Sequence, residues 1–362
     1  MKCLPLLIIV ASWAQARPTS ERLDNALYFL DSDPQGASVV SFKIARNGSL
    51  GRPFWTSTGG NGLIGRDANG SVTADPLFSQ GSIIVDGNRL FTVNAGSNTL
   101  AAFHIPEDDP AHPVLVGEPV NTVGTTPNTV AYSRKHKIAC VANTGTKPGV
   151  QCFKVSGYND IEPGLQTPLQ ISFSTPSETA LFVSLKGNGM GDGYIYAYPI
   201  DNGAVSEKAV ESRPENLPIA FGMSFTDDRS AIVSTPKYGA ALVSIAEDFN
   251  VTTNTIFNIT GQKATCWTAK SAETGSVYLL DAGVASITAV NTDTEAPGHT
   301  LPGYQQGMGN FDGIISGSKL YVLQATAAIA IFDLKDPSSG PQAVDLEGFG
   351  NRASWTGMAI YS

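Results

Sequence analysis

Seven times along this chain an apolar run ending in a small polar residue is followed by a Gly, Asn or Asp turn and then a second apolar run. The copies occupy 26–44, 89–105, 137–155, 180–200, 230–246, 276–292 and 319–334. Repeats of this kind mark folds in which each unit must stack on its neighbours to bury its apolar faces. Each copy reads as the two middle strands of a four-stranded unit. From the second copy on, the starts lie roughly 43 to 50 residues apart, the spacing of a propeller blade, while the first gap is longer.

A further strand-like run precedes each hairpin from the second copy on, at 82–85, 128–132, 170–173, 222–225, 267–270 and 313–315. The first hairpin has none. One such run is left over at the C-terminus, 356–361, and it echoes Phe221-Gly-Met-Ser-Phe225. The expected fold is therefore an all-β, seven-bladed β-propeller with four-stranded blades, the ring closed by the C-terminal strand joining blade one. Such closure leaves no incomplete blade with an open edge. A large β-sandwich with irregular repeats is the alternative.

Composition agrees with many short strands and turns. Only 15% of the 362 residues are charged, 37 are Gly and 22 are Pro, while 42% apolar content supports a sizeable core. A formal charge of −9 and the lack of any basic run argue against nucleic acid, whose affinity comes from Lys and Arg that displace counterions. Residues 1–16 read as a signal peptide, with Lys2, a short apolar run and Ala14-Gln15-Ala16 as cleavage site; 17–362 reads as one propeller domain. No later run approaches the roughly 20 apolar residues of a membrane helix. The expected product is a secreted monomer, extracellular or cell-wall associated. Asn-x-Ser/Thr acceptors at Asn47, Asn69, Asn250 and Asn258 predict a glycoprotein.

Without Cys3, three cysteines remain. Cys140 and Cys152 flank a Gly/Pro-rich turn between two strand-like runs, which predicts a disulfide across a hairpin and leaves Cys266 as a thiol. A buried, inert role suits Cys266 best.

In a propeller the inner strands line a channel, and the loops at one mouth carry ligand sites. Residues ending the second strand of each blade are therefore the binding candidates: Asp31, Asn94, Asn143, Asp281 and Gln324, with Lys186 and Lys237 near the same level. Such a ring suits a small polar or anionic ligand. The same Asp and Asn residues are also what strand-to-turn transitions favour for local hydrogen bonds. The long connection after blade one, with Thr56-Ser-Thr-Gly-Gly-Asn-Gly-Leu-Ile-Gly65 and Ala74-Asp-Pro-Leu-Phe-Ser-Gln80, is a candidate cap over the channel. Its Gly60-x-Gly62-x-x-Gly65 has no following helix and reads as a loop, so no cofactor is expected. Asp31-Ser-Asp33 lacks the remaining ligands of a calcium loop, and no metal site is expected. Serine-hydrolase elbows and zinc motifs are absent, and His104, His112, His136 and His299 fall away from the expected mouth.

The blade pattern, the Thr-Gly-Gly-x-Gly-Leu-Ile-Gly loop, Ala-Asp-Pro-Leu-Phe-Ser-Gln, Phe91-Thr-Val-Asn-Ala-Gly-Ser-Asn-Thr-Leu100 and Ala264-Thr-Cys-Trp267 resemble fungal secreted proteins of the 3-carboxymuconate cyclase-like group. The resemblance spans the mature chain and implies the lactonase propeller superfamily, with metal-independent lactone chemistry on an anionic, oxygen-rich substrate. Members that catalyse often carry a Pro-His pair entering an inner strand. Here Pro127 is followed by Asn128, which moves no proton at neutral pH. The expectation is a binding propeller with weak or no cyclase or lactonase chemistry. The alternatives are an extracellular lactonase or carboxymuconate cycloisomerase, and a cell-wall antigen or adhesin engaging a cell-surface or host component.

Overall fold

The computed structural model describes residues 25–67, 69–155, 161–163, 170–174, 177–186, 191–294, 296–305 and 309–362; the signal peptide expected at 1–16 lies outside them. Seven antiparallel sheets form the blades of a propeller. Their innermost strands are, from blade two to blade seven, Ile83–Asp86, Pro127–Ser133, Gln170–Phe173, Met223–Asp227, Thr265–Ser271 and Asn310–Ser316. In blade one that place is taken by the C-terminal strand Trp355–Tyr361, followed outward by Asn25–Asp31, Ser38–Ile44 and Leu50–Ser57. Pairs such as Ala26 with Tyr361 and Asp31 with Trp355 close the ring by backbone hydrogen bonding.

The middle strands are apolar runs because both of their faces are covered by neighbouring blades. Ile138–Asn143 and Ser276–Asp281 are buried at every position. Outermost strands meet solvent on one side and alternate instead, as in Val251–Asn258. The core is therefore distributed between blades. Leu27, Phe29 and Phe42 of blade one pack with Tyr321, Leu323 and Ile331 of blade seven, so side chains as well as the ladder close the ring. Cys140 and Cys152 face each other directly across the blade-three hairpin and are disulfide-bonded, with Cα atoms 4.0 Å apart. Cys266 is buried and free.

Several inner strands carry a bulge near their first residues. The register slips around Cys266 in blade six, Asp312 in blade seven and Gly357 in blade one. A bulge leaves one residue unpaired and re-aims its side chain. These bulges decide what faces the channel.

Candidate functional site

After the outer strand Leu50–Ser57 the chain leaves blade one and crosses the start of the inner strands before entering blade two. Its glycines permit close backbone contact. A Cβ on Gly62 would lie 2.1 Å from the Ser32 carbonyl carbon, and one on Gly60 2.4 Å from the Asn94 amide. The Gly60-x-Gly62-x-x-Gly65 pattern thus packs loop against blades one and two.

Residues 74–80 then plug the mouth of the channel. Leu77 enters the core beside blades one to three. Ser79 bonds Thr129 of blade three and accepts from the Trp267 indole of blade six at 3.3 Å through its carbonyl. Thr356 of blade one donates to Asp75 Oδ1 at 3.2 Å. Arg352, in the 3-10 turn Arg352–Ser354, fastens the plug from outside: Nη1 donates to the Ala74 carbonyl at 2.6 Å and to the Trp355 carbonyl at 3.0 Å, and Nε to the Gln324 carbonyl at 2.5 Å. The expected cap is in place, inserted into the channel rather than laid over it.

Around the plug sits a charge cluster. Asp75 is 3% exposed and its Oδ2 has no hydrogen-bond partner among the described residues. Burial raises its pKa against the attraction of Lys186 and Arg352. Burial likewise lowers Lys186 to about 8 and Arg352 to about 9, although Asp75 favours the charged form of both. Desolvation outweighs attraction at all three groups, which draws Asp75 and Lys186 toward neutrality. Lys186 Nζ lies 3.7 Å from the centre of the Phe221 ring, and the Arg352 guanidinium 5.6 Å from that of Phe311. Phe221, Trp267 and Phe311 form a continuous aromatic wall, with successive centroids 5.2 Å apart. Cys266 adjoins Lys186, and burial pushes its thiol up to about 12. It is a packed group, poorly suited to nucleophilic work.

Of the seven residues singled out from sequence, only Lys186 joins this cluster. Lys237 is exposed on the turn after Ser230–Thr235. The others are buried and held by local bonds. Asp31 accepts from Ser354 Oγ at 2.5 Å, and burial raises its pKa despite that bond. Asn94 donates to Thr99, and Asn143 is held by Thr122 and Gly149. Asp281 accepts from the backbone of Lys263, Ala264, Gly283 and Val284, and Gln324 donates to Asn310. Asp31, Asn94, Asp281 and Gln324 are held within their own blades, whereas Asn143 also ties blade three to Thr122 at the end of blade two. Asn128 is buried and its Oδ1 accepts from Thr129.

Sequence reasoning passed over Asp75, Arg352 and Asp312. Asp75 lay inside a loop already marked as a cap. Arg352 had no distinguishing neighbour. Asp312 carried one usable signal, an Asp-Gly pair inside a strand pattern, which marks a bulge.

No model of a known protein family matches the chain, and no curated relative matches its sequence. Solved structures do resemble it. A functionally unknown protein from Desulfotomaculum acetoxidans is 12% identical, with a TM-score of 0.64 over 92% of this chain and 98% of that one. A candidate 6-phosphogluconolactonase from Bacteroides fragilis is 13% identical, with a TM-score of 0.59 over 96% of this chain and all of that one. A protein from Lactobacillus plantarum, also 13% identical, gives 0.56 over 94% of this chain and all of that one. At this identity the likeness is one of fold, and the fold it shares with them is the β-propeller.

Proposed function

We propose that the protein is an exported glycoprotein whose channel mouth binds a small, oxygen-rich, anionic ligand, with little or no remaining lactone-ring chemistry. The observation that carries this reading is the imbalance at the plug: two cationic side chains, Lys186 and Arg352, stand against the single carboxylate of Asp75, and Arg352 Nη2 has no hydrogen-bond partner among the described residues. A carboxylate or phosphate placed against the Phe221, Trp267 and Phe311 wall would supply the missing acceptor and balance the charge. Export and glycosylation are supported by Asn47, Asn69, Asn250 and Asn258, all of which are exposed. Placement at a cell wall or on a host surface belongs to the same proposal.

A lactonase or cycloisomerase is the second reading. Its support is Asp75 beside Lys186, a carboxyl raised by burial facing an amine that burial lowers to about 8. One experiment separates the two. Calorimetry with gluconate, 6-phosphogluconate and 3-carboxymuconate is expected to show saturable binding that weakens at least tenfold in Lys186→Met, and proton NMR to show no turnover of aldonolactones or the muconate lactone. Turnover abolished by Asp75→Asn establishes the enzyme instead. Absence of binding to every acid overturns the proposal.

A further inference from the structure

The outermost strand of each blade has an edge that no further strand covers, and such an edge pairs readily with another chain unless something blunts it. Among the described residues most of these strands are short: Val114–Leu115 and Val120–Asn121 in blade two, Ile161–Pro163 in blade three, Ala204–Val205 and Val210–Ser212 in blade four, Gln342–Asp345 in blade seven. Three are long, and each of these has a bulge. Leu50–Ser57 of blade one adds Arg52 and Pro53, and Ala296–Leu301 of blade six adds Pro297 and Gly298, residues that resist pairing. Val251–Asn258 of blade five adds none of these.

That strand reads Val-Thr-Thr-Asn-Thr-Ile-Phe-Asn, rich in β-branched side chains and without charge, Pro or Gly, a composition prone to pair edge to edge. Its inner side is bonded to Gly239–Ile245. At its start Val251 N donates to Ser212 Oγ of blade four at 2.8 Å, and further along Ile256 is exposed. The protection missing from its own residues is encoded at its two ends. Asn250-Val-Thr252 and Asn258-Ile-Thr260 are N-glycosylation acceptors, and both asparagines are exposed. The Asn250 side chain is held through Oδ1, which accepts from Ser212 Oγ at 3.2 Å, so its amide nitrogen remains to carry the sugar. At roughly 3.3 Å per residue the two acceptors lie about 25 Å apart, one at either end of the open edge.

We infer that glycans on Asn250 and Asn258 shield the blade-five edge, keeping a second copy of this chain from adding its own edge strand there. The inference rests on the exported, glycosylated state proposed above and is independent of the ligand at the channel mouth. Each attachment joins C1 of the first sugar to Nδ2, the diphosphate of a lipid-linked oligosaccharide donor leaving as the nitrogen releases a proton. A bulky, hydrated oligosaccharide at either end denies a second strand the side-by-side approach that a ladder requires. The bulge around Asn254 interrupts the edge only at its middle, and each glycan covers one of the two halves.

Glycopeptide mass spectrometry of the full-length secreted protein, followed by light scattering up to about 100 μM, tests it. Asn250 and Asn258 are expected to be occupied and the protein monomeric. Asn250→Gln with Asn258→Gln is expected to associate as concentration rises, and the amides of 251–258 to gain at least about tenfold protection from exchange in the associated form. Asn47→Gln with Asn69→Gln, which removes as many acceptors elsewhere, is expected to stay monomeric. Trimming the glycans of the folded protein to a single sugar with an endoglycosidase is expected to reach the same associated state without a substitution. Adding Ile256→Lys to the unglycosylated pair places a charge on the edge and is expected to restore the monomer. Unoccupied Asn250 and Asn258 overturn both this inference and the glycosylated state on which it rests. Occupied sites with a double variant that stays monomeric overturn the inference alone, as does association that Ile256→Lys leaves unchanged. If the double variant is not secreted, the trimmed protein decides in the same terms.

Discussion

The side chain of Gln80 pairs with the backbone of Thr268 as a strand residue would: its Oε1 accepts from Thr268 N at 3.0 Å and its Nε2 donates to Thr268 O at 3.1 Å. This amide ties the end of the plug to blade six, 188 residues away in the chain. Replacing Gln80 with Ala leaves a peptide N–H and C=O unpaired beside the channel, at a cost of about 1–3 kcal/mol. Urea denaturation should show that loss, and amide exchange in residues 74–80 should quicken while the middle strands keep their protection. Unchanged exchange in 74–80 would mean that Gln80 does not hold the plug.

What the sequence made legible follows from burial. Middle strands such as Ile138–Asn143 are covered on both faces, so they read as apolar runs up to a small polar strand end, and their spacing exposes the blade count. The leftover run at 356–361 revealed the ring closure for the same reason. Outer strands were harder, because short pieces such as Val114–Leu115 and Val120–Asn121 pair with one neighbour and need little apolar surface. At the site, strand-end position alone did not separate Lys186, which turns onto Phe221, from Lys237, which a turn carries to the surface. Asp75 and Arg352 gain their meaning from contacts such as that between Asp75 and Thr356, 281 residues apart, which no local pattern encodes.

Asp312 should make stability depend on pH. Its carboxyl is raised to about 8 in the folded chain from an ordinary value near 3.8, so between these limits the folded state holds a proton that the unfolded state has released. Its contribution is fully present below about pH 4, falls as pH rises, and levels above about pH 8. The loss is on the order of 1 kcal/mol per pH unit. Asp312→Asn removes this slope. Chemical denaturation of both proteins from pH 5 to pH 9 should therefore show a difference growing in favour of the variant up to about pH 8; parallel curves would place an ordinary carboxyl at this position.

The blade-three disulfide should stabilise a hairpin whose strands already pair. Cys140 and Cys152 are 12 residues apart, and the chain-entropy account gives such a loop about 3 kcal/mol, less whatever order the reduced hairpin keeps. The double change Cys140→Ser with Cys152→Ser should cost about 2–3 kcal/mol in a denaturant titration. Cys266, with its buried thiol pushed up to about 12, should be silent to a thiol reagent in the native protein and become reactive on unfolding. A thiol that reacts at once in the native state would contradict its packing.

Gly62 separates a structural from a cofactor role for the glycine-rich loop. Its amide donates to the Asp33 carbonyl at 2.8 Å, and Gly96 packs so closely behind it that a Cβ there would meet the Gly62 oxygen at 2.2 Å. A methyl group on Gly62 has no room against the Ser32 backbone, so Gly62→Ala must displace the loop from blade one, at a cost of about 1–3 kcal/mol. Gly36 supplies the control: it has nothing within 4 Å of an added Cβ, and Gly36→Ala should change stability by less than about 0.5 kcal/mol. Because the loop continues into the plug, Gly62→Ala should also quicken amide exchange at 74–80, whereas Gly36→Ala should not. Equal stabilities of the two variants would show that the loop is not held by this backbone contact.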